Sequence, residues 1–89
     1  MFKVYEMIVF RREFDDNGIL FNPDDGKTFG LNPVAVIIWE SLEKGLDKPA
    51  IYEVLKERVA DLPDCAAADI DEFIAALQEQ GFLSIPENS

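Results

Sequence analysis

The sequence predicts an α+β domain, in which a three-stranded antiparallel meander is followed by three helices. Two turn signals, Asn17-Gly18 and residues 23–26, separate the short apolar runs in the first third of the chain. After residue 31, apolar residues recur at helical spacing in three runs, with glycine or proline between them. Because three strands cannot bury a face by themselves, we expect the helices to cover one face of the sheet.

The predicted strands cover residues 4–14, 19–22 and 27–31. The first is rich in valine, isoleucine and aromatic residues, which favour extended structure. The third alternates, with Phe29 and Leu31 on one face and Thr28 and Gly30 on the other. We therefore expect the third strand to turn one face toward the core and the other toward solvent.

The predicted helices cover residues 33–44, 48–60 and 66–80. Asn32 and Pro33 have the residue types of an N-cap and a first helical position, and Gly45 and Gly81 follow the first and third helices as stop signals. Trp39 lies among apolar neighbours on the first helix, so we expect it in the core. The arrangement is winged-helix-like, with the sheet placed ahead of the helices.

The length of 89 residues indicates one domain, residues 1–89, with residues 86–89 as a loose tail. No apolar run approaches the roughly 20 residues that a membrane-spanning helix needs. The apolar N-terminal residues carry charges and lack a cleavage site, so we predict no signal peptide. The single cysteine, Cys65, excludes an internal disulfide and suits a reducing cytoplasm.

The chain is strongly acidic, with 18 acidic and 8 basic residues and a formal net charge of −10. Nucleic-acid binding requires clustered basic residues to replace phosphate counterions, and here only Arg11 and Arg12 are adjacent. The charge balance argues against nucleic acid and anionic membranes as partners. A basic peptide or basic protein surface fits better, because the acidic field would steer it toward the protein.

Candidate catalytic and metal-binding groups are few. The chain has no histidine, which removes the commonest general base and transition-metal ligand. Cys65 precedes a helix N-terminus, a position that lowers a thiol pKa, but it has no base partner. Asp15-Asp16 and Asp24-Asp25 fall in turns without the spacing of a calcium loop. We therefore predict no catalytic residue, no metal and no cofactor.

Two strands offer interaction surfaces. If the third strand lies at the sheet edge, its backbone groups can accept an extended peptide; the alternative is an edge protected by Lys27 and by its shortness. Residues 2–10 are apolar on both alternating faces, which a solvated edge strand should not be. Either the C-terminal segment covers them, or they form a homodimer contact.

The order of these motifs resembles the PqqD-like family, the peptide-binding modules also called RiPP recognition elements. The resemblance covers roughly residues 4–84. It rests on the following residues, in order: Asn17-Gly18-Ile19-Leu20, Asp25-Gly26, Leu31-Asn32, Ile38-Trp39, Gly45, Asp69-Ile70, Phe73-Ile74, Leu77 and Gly81-Phe82-Leu83. The apolar N-terminal run, residues 2–10, departs from the family pattern.

The resemblance implies a function that composition alone does not. Members of the family bind the leader of a ribosomally made precursor peptide and present it to a modifying enzyme, often a radical SAM protein. The leader adds as a strand beside the third strand and lies against the third helix. Mapped onto this sequence, the implied peptide-binding residues are Lys27, Thr28, Phe29, Gly30, Leu31, Asp69, Phe73, Ala76, Leu77 and Gln80.

The leading hypothesis is therefore a non-catalytic, cytoplasmic peptide-binding chaperone or adaptor in peptide modification. The first alternative is a winged-helix nucleic-acid-binding regulator, which shares the architecture but not the charge. The second is a small dimerisation subunit that associates through residues 2–10. The acidic residues Asp69, Asp71 and Glu72 fit two roles, interaction with the helix dipole or contact with a basic partner.

Overall fold

The computed structural model describes residues 4–5, 7–62 and 64–84. Three antiparallel strands precede three helices, which confirms the predicted α+β class. The elements are β1 (Val9–Arg12), β2 (Gly18–Phe21), β3 (Thr28–Leu31), α1 (Pro33–Glu43), α2 (Lys48–Arg58) and α3 (Ala66–Glu79), with one 3-10 turn at Phe14–Asp16. The strand order is β1-β2-β3, so β3 forms one edge of the sheet.

The first strand is shorter than the predicted residues 4–14. It begins at Val9, because the Ile8 N–H donates to the Tyr5 carbonyl at 3.1 Å and turns the chain away from the sheet. Val4 instead pairs in an antiparallel bridge with Leu83. The C-terminal segment therefore covers Val4, one of the two explanations that the sequence left open for this apolar run.

The sequence predicts the first hairpin turn at Asn17-Gly18, but in the structure the turn lies just before these residues. Asp15 and Asp16 adopt positive φ angles of 58° and 62°, and the Asn17 N–H donates to the Phe14 carbonyl at 3.1 Å. Aspartate is one of the few residues that tolerate this left-handed conformation. Gly18 lies in β2, where a Cβ atom would stand only 2.6 Å from Cε1 of Phe10. Gly18 therefore serves close packing rather than the turn.

The second turn occupies the predicted residues 23–26. The Gly26 N–H donates to the Asn22 carbonyl at 2.8 Å, and Gly26 has a φ of 77°, which suits glycine. The side chain of Asn22 is buried and accepts from the Asp24 N–H at 2.9 Å. β3 begins at Thr28, one residue later than predicted, and the Lys27 N–H donates to Oδ1 of Asp25 at 2.9 Å rather than to β2.

The helix starts are set by side-chain caps. Oδ1 of Asn32 accepts from the Ala35 N–H at 2.8 Å, as the sequence predicted. Asp47, which the sequence analysis did not single out, caps α2 by accepting from the Ala50 N–H at 3.1 Å. The second helix ends at Arg58, two residues before the predicted end. The cap at Asn32 matters most for function, because it joins β3 directly to α1.

The core lies between the sheet and the helices, and all three helices contribute to it. Trp39 is fully buried, as predicted, and its Nε1 has no hydrogen-bond partner among the described residues. Phe82 and Leu83 are also buried, which anchors the chain after α3. The predicted loose tail, residues 86–89, lies outside the described residues. Among the helices that the structure describes, none is long and apolar enough to span a membrane.

Candidate functional site

The hydrogen-bond phase of β3 determines which backbone groups face the open edge. The Asn22 N–H donates to the Lys27 carbonyl at 2.9 Å, so these residues form a hydrogen-bonded pair in register with the ladder of β2 and β3. Such pairs alternate along an antiparallel ladder. Phe29 therefore directs its backbone groups toward β2, whereas Thr28 and Gly30 direct theirs away from it. The open edge thus offers two N–H donors and two carbonyl acceptors.

The side chains of β3 connect this edge to α3. Thr28 and Gly30 are exposed on the outer face, and Phe29 points toward the helices. The ring of Phe29 makes T-shaped contacts with Phe73 and Phe82, with centroid distances of 5.9 and 5.8 Å. Aromatic pairs of this kind add about 0.5–1.5 kcal/mol beyond the area they bury. Strand and helix are therefore held as one unit beside the open edge.

An apolar groove of about 260 Å³ lies where β3 runs into α1 and faces α3. We call it the α1–α3 groove. Its apolar lining comes from all three helices and the α2–α3 connection: Val34, Ala35, Ile38, Leu55, Leu62, Ala66, Ile70 and Phe73. Its polar lining residues are Asn32 and Asp69. Phe73 lines the groove and also contacts Phe29, so this side chain connects the groove with β3.

The five residues of α3 and its C-cap that the sequence analysis assigned to the peptide-binding site differ in their location and burial. Asp69 and Phe73 line the α1–α3 groove. Ala76 is half-buried, and Gln80 is exposed at the C-cap of α3. Leu77 is completely buried in the core. Phe73 is therefore the predicted helix residue that contacts β3, Asp69 lines the same groove, and Leu77 belongs to the core beneath α3.

Sequence reasoning missed the α1 side of the groove. Val34, Ala35 and Ile38 follow the cap at Asn32 and form one wall, although their apolar spacing had indicated only a core helix. The adjacent Asn32-Pro33 signal could have found them. Because Pro33 starts a helix immediately after β3, the first turn of α1 must lie beside the end of that strand.

The thiol of Cys65 behaves differently from the expectation drawn from its position at the helix start. Its Sγ lies 3.6 Å from Oδ2 of Asp69, and this hydrogen bond is the main cause that raises the thiol pKa above its ordinary value. The charge of Asp69 also raises the thiol pKa. The nearby carboxylate therefore outweighs the effect expected from the helix start. The thiol donates this hydrogen bond to Asp69.

The exposed face of α3 is acidic. Asp69, Asp71, Glu72 and Glu79 lie on this helix, which contains no lysine or arginine. Nζ of Lys48, on α2, pairs with Oδ1 of Asp71 at 2.8 Å. An acidic face here opposes contact with phosphates, and it suits a basic partner. Within the described part of the chain, no three histidine, cysteine or acidic residues cluster closely enough to hold a metal ion.

The fold and the edge-and-groove site define a class of small modules that carry an open strand beside a helical groove. The chain belongs to the PqqD family, because the family model of coenzyme PQQ synthesis protein D matches residues 17–83. Comparison with curated proteins finds no significant match.

Two solved structures are similar to this chain over nearly its whole length. TbiB1 in complex with the TbiA(beta) leader peptide is 26% identical, with a TM-score of 0.78 over 92% of this chain and 94% of that one. Lasso peptide synthetase B1 complexed with the leader peptide is 21% identical, with a TM-score of 0.78 over 96% of this chain and 98% of that one. At 21% identity, the second likeness concerns the fold alone.

Proposed function

We propose that this protein is a non-catalytic adaptor that binds the leader of a ribosomally made precursor peptide by strand addition along β3. The observation that carries the proposal is the outward direction of the Thr28 and Gly30 backbone groups beside an apolar groove. Main-chain hydrogen bonds supply affinity in this mode, and side-chain pockets supply specificity. The leader peptide bound to TbiB1, a relative with the same fold, supports the assignment.

The proposed roles of the site residues follow from their positions. Thr28 and Gly30 pair with the leader backbone, while Phe73 and Asp69 contact its side chains. The complete proposed site is Lys27, Thr28, Phe29, Gly30, Leu31, Asp69, Phe73, Ala76, Leu77 and Gln80. Leu77 contributes by holding α3 in place rather than by touching the peptide, because it is fully buried.

The proposed setting is the cytoplasm, where the adaptor delivers the leader to a modifying enzyme of the radical SAM type. No cofactor is needed for strand addition. A homodimer through residues 2–10 is a separate proposal, and it is supported by exposed apolar side chains. Tyr5 and Met7 are each 39% exposed, and Val9 is 51% exposed.

Substitution of Thr28 by proline tests the strand edge. Thr28→Pro removes an N–H that faces the open edge, and it leaves the bonds between β2 and β3 intact. We expect the affinity for the leader to fall about tenfold. This factor corresponds to a loss of roughly 1.4 kcal/mol of binding free energy, which is the size expected for one lost hydrogen bond between the leader and the strand. The probe is a fluorescein-labelled precursor leader, to be sought first in the reading frames that neighbour this gene, and the readout is fluorescence anisotropy.

The matched control is Thr28→Val, which keeps the N–H and the branched shape. This variant should bind the leader like the original protein, and both variants should show the same circular dichroism in the helical region. Equal leader affinity for Thr28→Pro and Thr28→Val would mean that the peptide does not pair with this edge.

A further inference from the structure

The turn between β1 and β2 presents an aromatic side chain to solvent. Phe14 is 91% exposed, whereas the other large apolar side chains that are exposed among the described residues range from 39% to 51%. The next two residues, Asp15 and Asp16, both have positive φ angles, a conformation that is uncommon outside glycine and is found preferentially at functional sites. Residues 14–16, which we call the hairpin tip, therefore combine one solvent-exposed ring with two carboxylates.

A cleft of about 460 Å³ lies directly beside the hairpin tip, since Asp16 belongs to its lining. We call it the β1 cleft. Its apolar lining residues come from α1 and the end of α2: Pro33, Val34, Val36, Ile37, Val59 and Ala60. Benzene occupies an engineered apolar cavity of roughly 150 Å³. The β1 cleft is therefore large enough for one phenylalanine ring together with a neighbouring carboxylate.

The charged residues that line the β1 cleft leave one cation without a partner. Arg12 pairs with Glu40 at 2.8 Å and lies 3.9 Å from Asp16, so it interacts with both acidic residues of the lining. Arg58 lines the same cleft and makes no ion pair within the described part of the chain. A carboxylate that entered the cleft would therefore pair with Arg58, and an aromatic ring could stack on a guanidinium group.

The hairpin tip and the β1 cleft are complementary in their chemistry. The tip carries the ring of Phe14 and the carboxylate of Asp15, and the cleft offers apolar walls and the guanidinium of Arg58. Because Phe14 is exposed, the tip does not fill the cleft of its own molecule. Since tip and cleft are neighbours, a two-fold axis beside them brings the tip of each copy to the cleft of the other, and both contacts form together.

We propose that the hairpin tip of one copy of this protein docks in the β1 cleft of a second copy, and the reverse, with Phe14 as the apolar anchor and Asp15 paired with Arg58. A phenylalanine buries roughly 150–250 Å², so two anchors give an interface at the small end of the specific range. We therefore expect weak, reversible association, with a dissociation constant on the order of 0.1–1 mM. β1 and β3 are opposite edges of the sheet, so each copy keeps its β3 edge open.

The tip contact uses a different surface from the association proposed through residues 2–10. Val9 and Arg12 are three positions apart in β1, so their side chains lie on opposite faces of the sheet. The β1 cleft lies on the face of Arg12, which pairs with Glu40 of α1. Val9 substitutions therefore serve as controls for the tip contact.

NMR spectra of the ¹⁵N-labelled protein at increasing concentration test the tip contact, with the Val59 and Ala60 amides as reporters of the cleft. Their signals should shift between about 0.05 and about 2 mM protein, and Phe14→Ser should abolish the shift without affecting the fold, because the side chain is exposed. Val9→Thr should keep the shift. The proposal is overturned if the original protein shows no shift, if Phe14→Ser shifts equally, or if Val9→Thr abolishes the shift.

Charge reversal tests the pairing of Asp15 with Arg58. Asp15→Arg and Arg58→Glu each place like charges in both halves of the contact, so each variant alone should associate at least about tenfold more weakly. In a mixture of the two, the substituted tip pairs with the substituted cleft, and the native Asp15 pairs with the native Arg58. Both ion pairs therefore return only in the mixed complex.

The readout is the ¹⁵N-labelled Asp15→Arg variant, observed at its Val59 and Ala60 amides. Unlabelled Arg58→Glu should shift these signals at least about tenfold more effectively than the same concentration of unlabelled Asp15→Arg. Equal responses to the two additions would show that charge pairing between tip and cleft does not hold the copies together, and would overturn the proposal.

Discussion

Proline substitutions at neighbouring positions of β3 distinguish backbone N–H groups that bond to β2 from those that face the open edge of the sheet. The Phe29 N–H faces β2 opposite Leu20, which is completely buried. Phe29→Pro therefore removes a ladder bond and leaves the Leu20 carbonyl buried without a partner, at a cost of about 1–3 kcal/mol. Gly30→Pro removes only an N–H that faces the open edge, and no atom lies within 4 Å of a Cβ built at that position. We expect it to cost less than about 1 kcal/mol.

Urea unfolding measures both variants, with the fluorescence of the buried Trp39 as the readout. Phe29→Pro also deletes the aromatic contacts with Phe73 and Phe82, so Phe29→Ala is the matched control. The difference between Phe29→Pro and Phe29→Ala isolates the backbone contribution. If Gly30→Pro destabilises the protein as much as this difference, the phase assigned to β3 is reversed and the edge would present other residues.

Two further predictions concern acidity and association. Partial burial, followed by the charge of Glu40, raises the pKa of Glu43 above 4.5, so the folded protein binds this proton more tightly than the unfolded chain does. Stability should therefore fall as pH rises through the interval above 4.5, and Glu43→Gln should be the more stable protein in urea unfolding at about pH 7 but not at about pH 3.5. For the proposed homodimer, Val9→Thr should lower the mass seen by light scattering at high concentration; an original protein that is monomeric throughout would refute the dimer.

The parts of the fold that the sequence predicts well depend on local chemistry. Asn32 and Pro33 specify a helix start whatever surrounds them, because cap and first turn are neighbours in the chain. The first hairpin shows where such reasoning stops. Gly18 has the residue type of a turn, but contact with Phe10 across the sheet requires a glycine there. That contact joins two strands, so no local pattern reveals it.

The candidate site shows the same division between local and long-range information. The alternation of apolar and polar residues in the sequence predicts that Thr28 and Gly30 face solvent. The strand order of the structure places β3 at an edge of the sheet. The direction of their backbone groups depends on register with β2, which is set by the hydrogen bond of Asn22. Apolar residues of α1 that face a groove have the same spacing as residues that face a core, so periodicity cannot separate them.

The sheet has a second open edge, at β1, and its surroundings explain why function is proposed at β3. The Glu13 N–H donates to the Asn17 carbonyl at 2.8 Å, which by the same alternation leaves the Arg12 backbone groups facing outward. The cleft beside Arg12 is lined by three further charged residues, Asp16, Glu40 and Arg58, and by apolar residues of α1 and of the end of α2: Pro33, Val34, Val36, Ile37, Val59 and Ala60.

The side chain of Arg12 is tied to Glu40, with Nη2 2.8 Å from Oε2. A strand added at β1 would have to displace this ion pair or place its inward residues beside charged side chains, which costs hydration. At β3, the inward residues of an added strand would lie on the side of Phe73, and the α1–α3 groove that Phe73 lines has one charged lining residue, Asp69. Both edges offer backbone hydrogen bonds, so the preference proposed for β3 depends on the side-chain surroundings, which carry four charged residues at the β1 cleft and one at the α1–α3 groove.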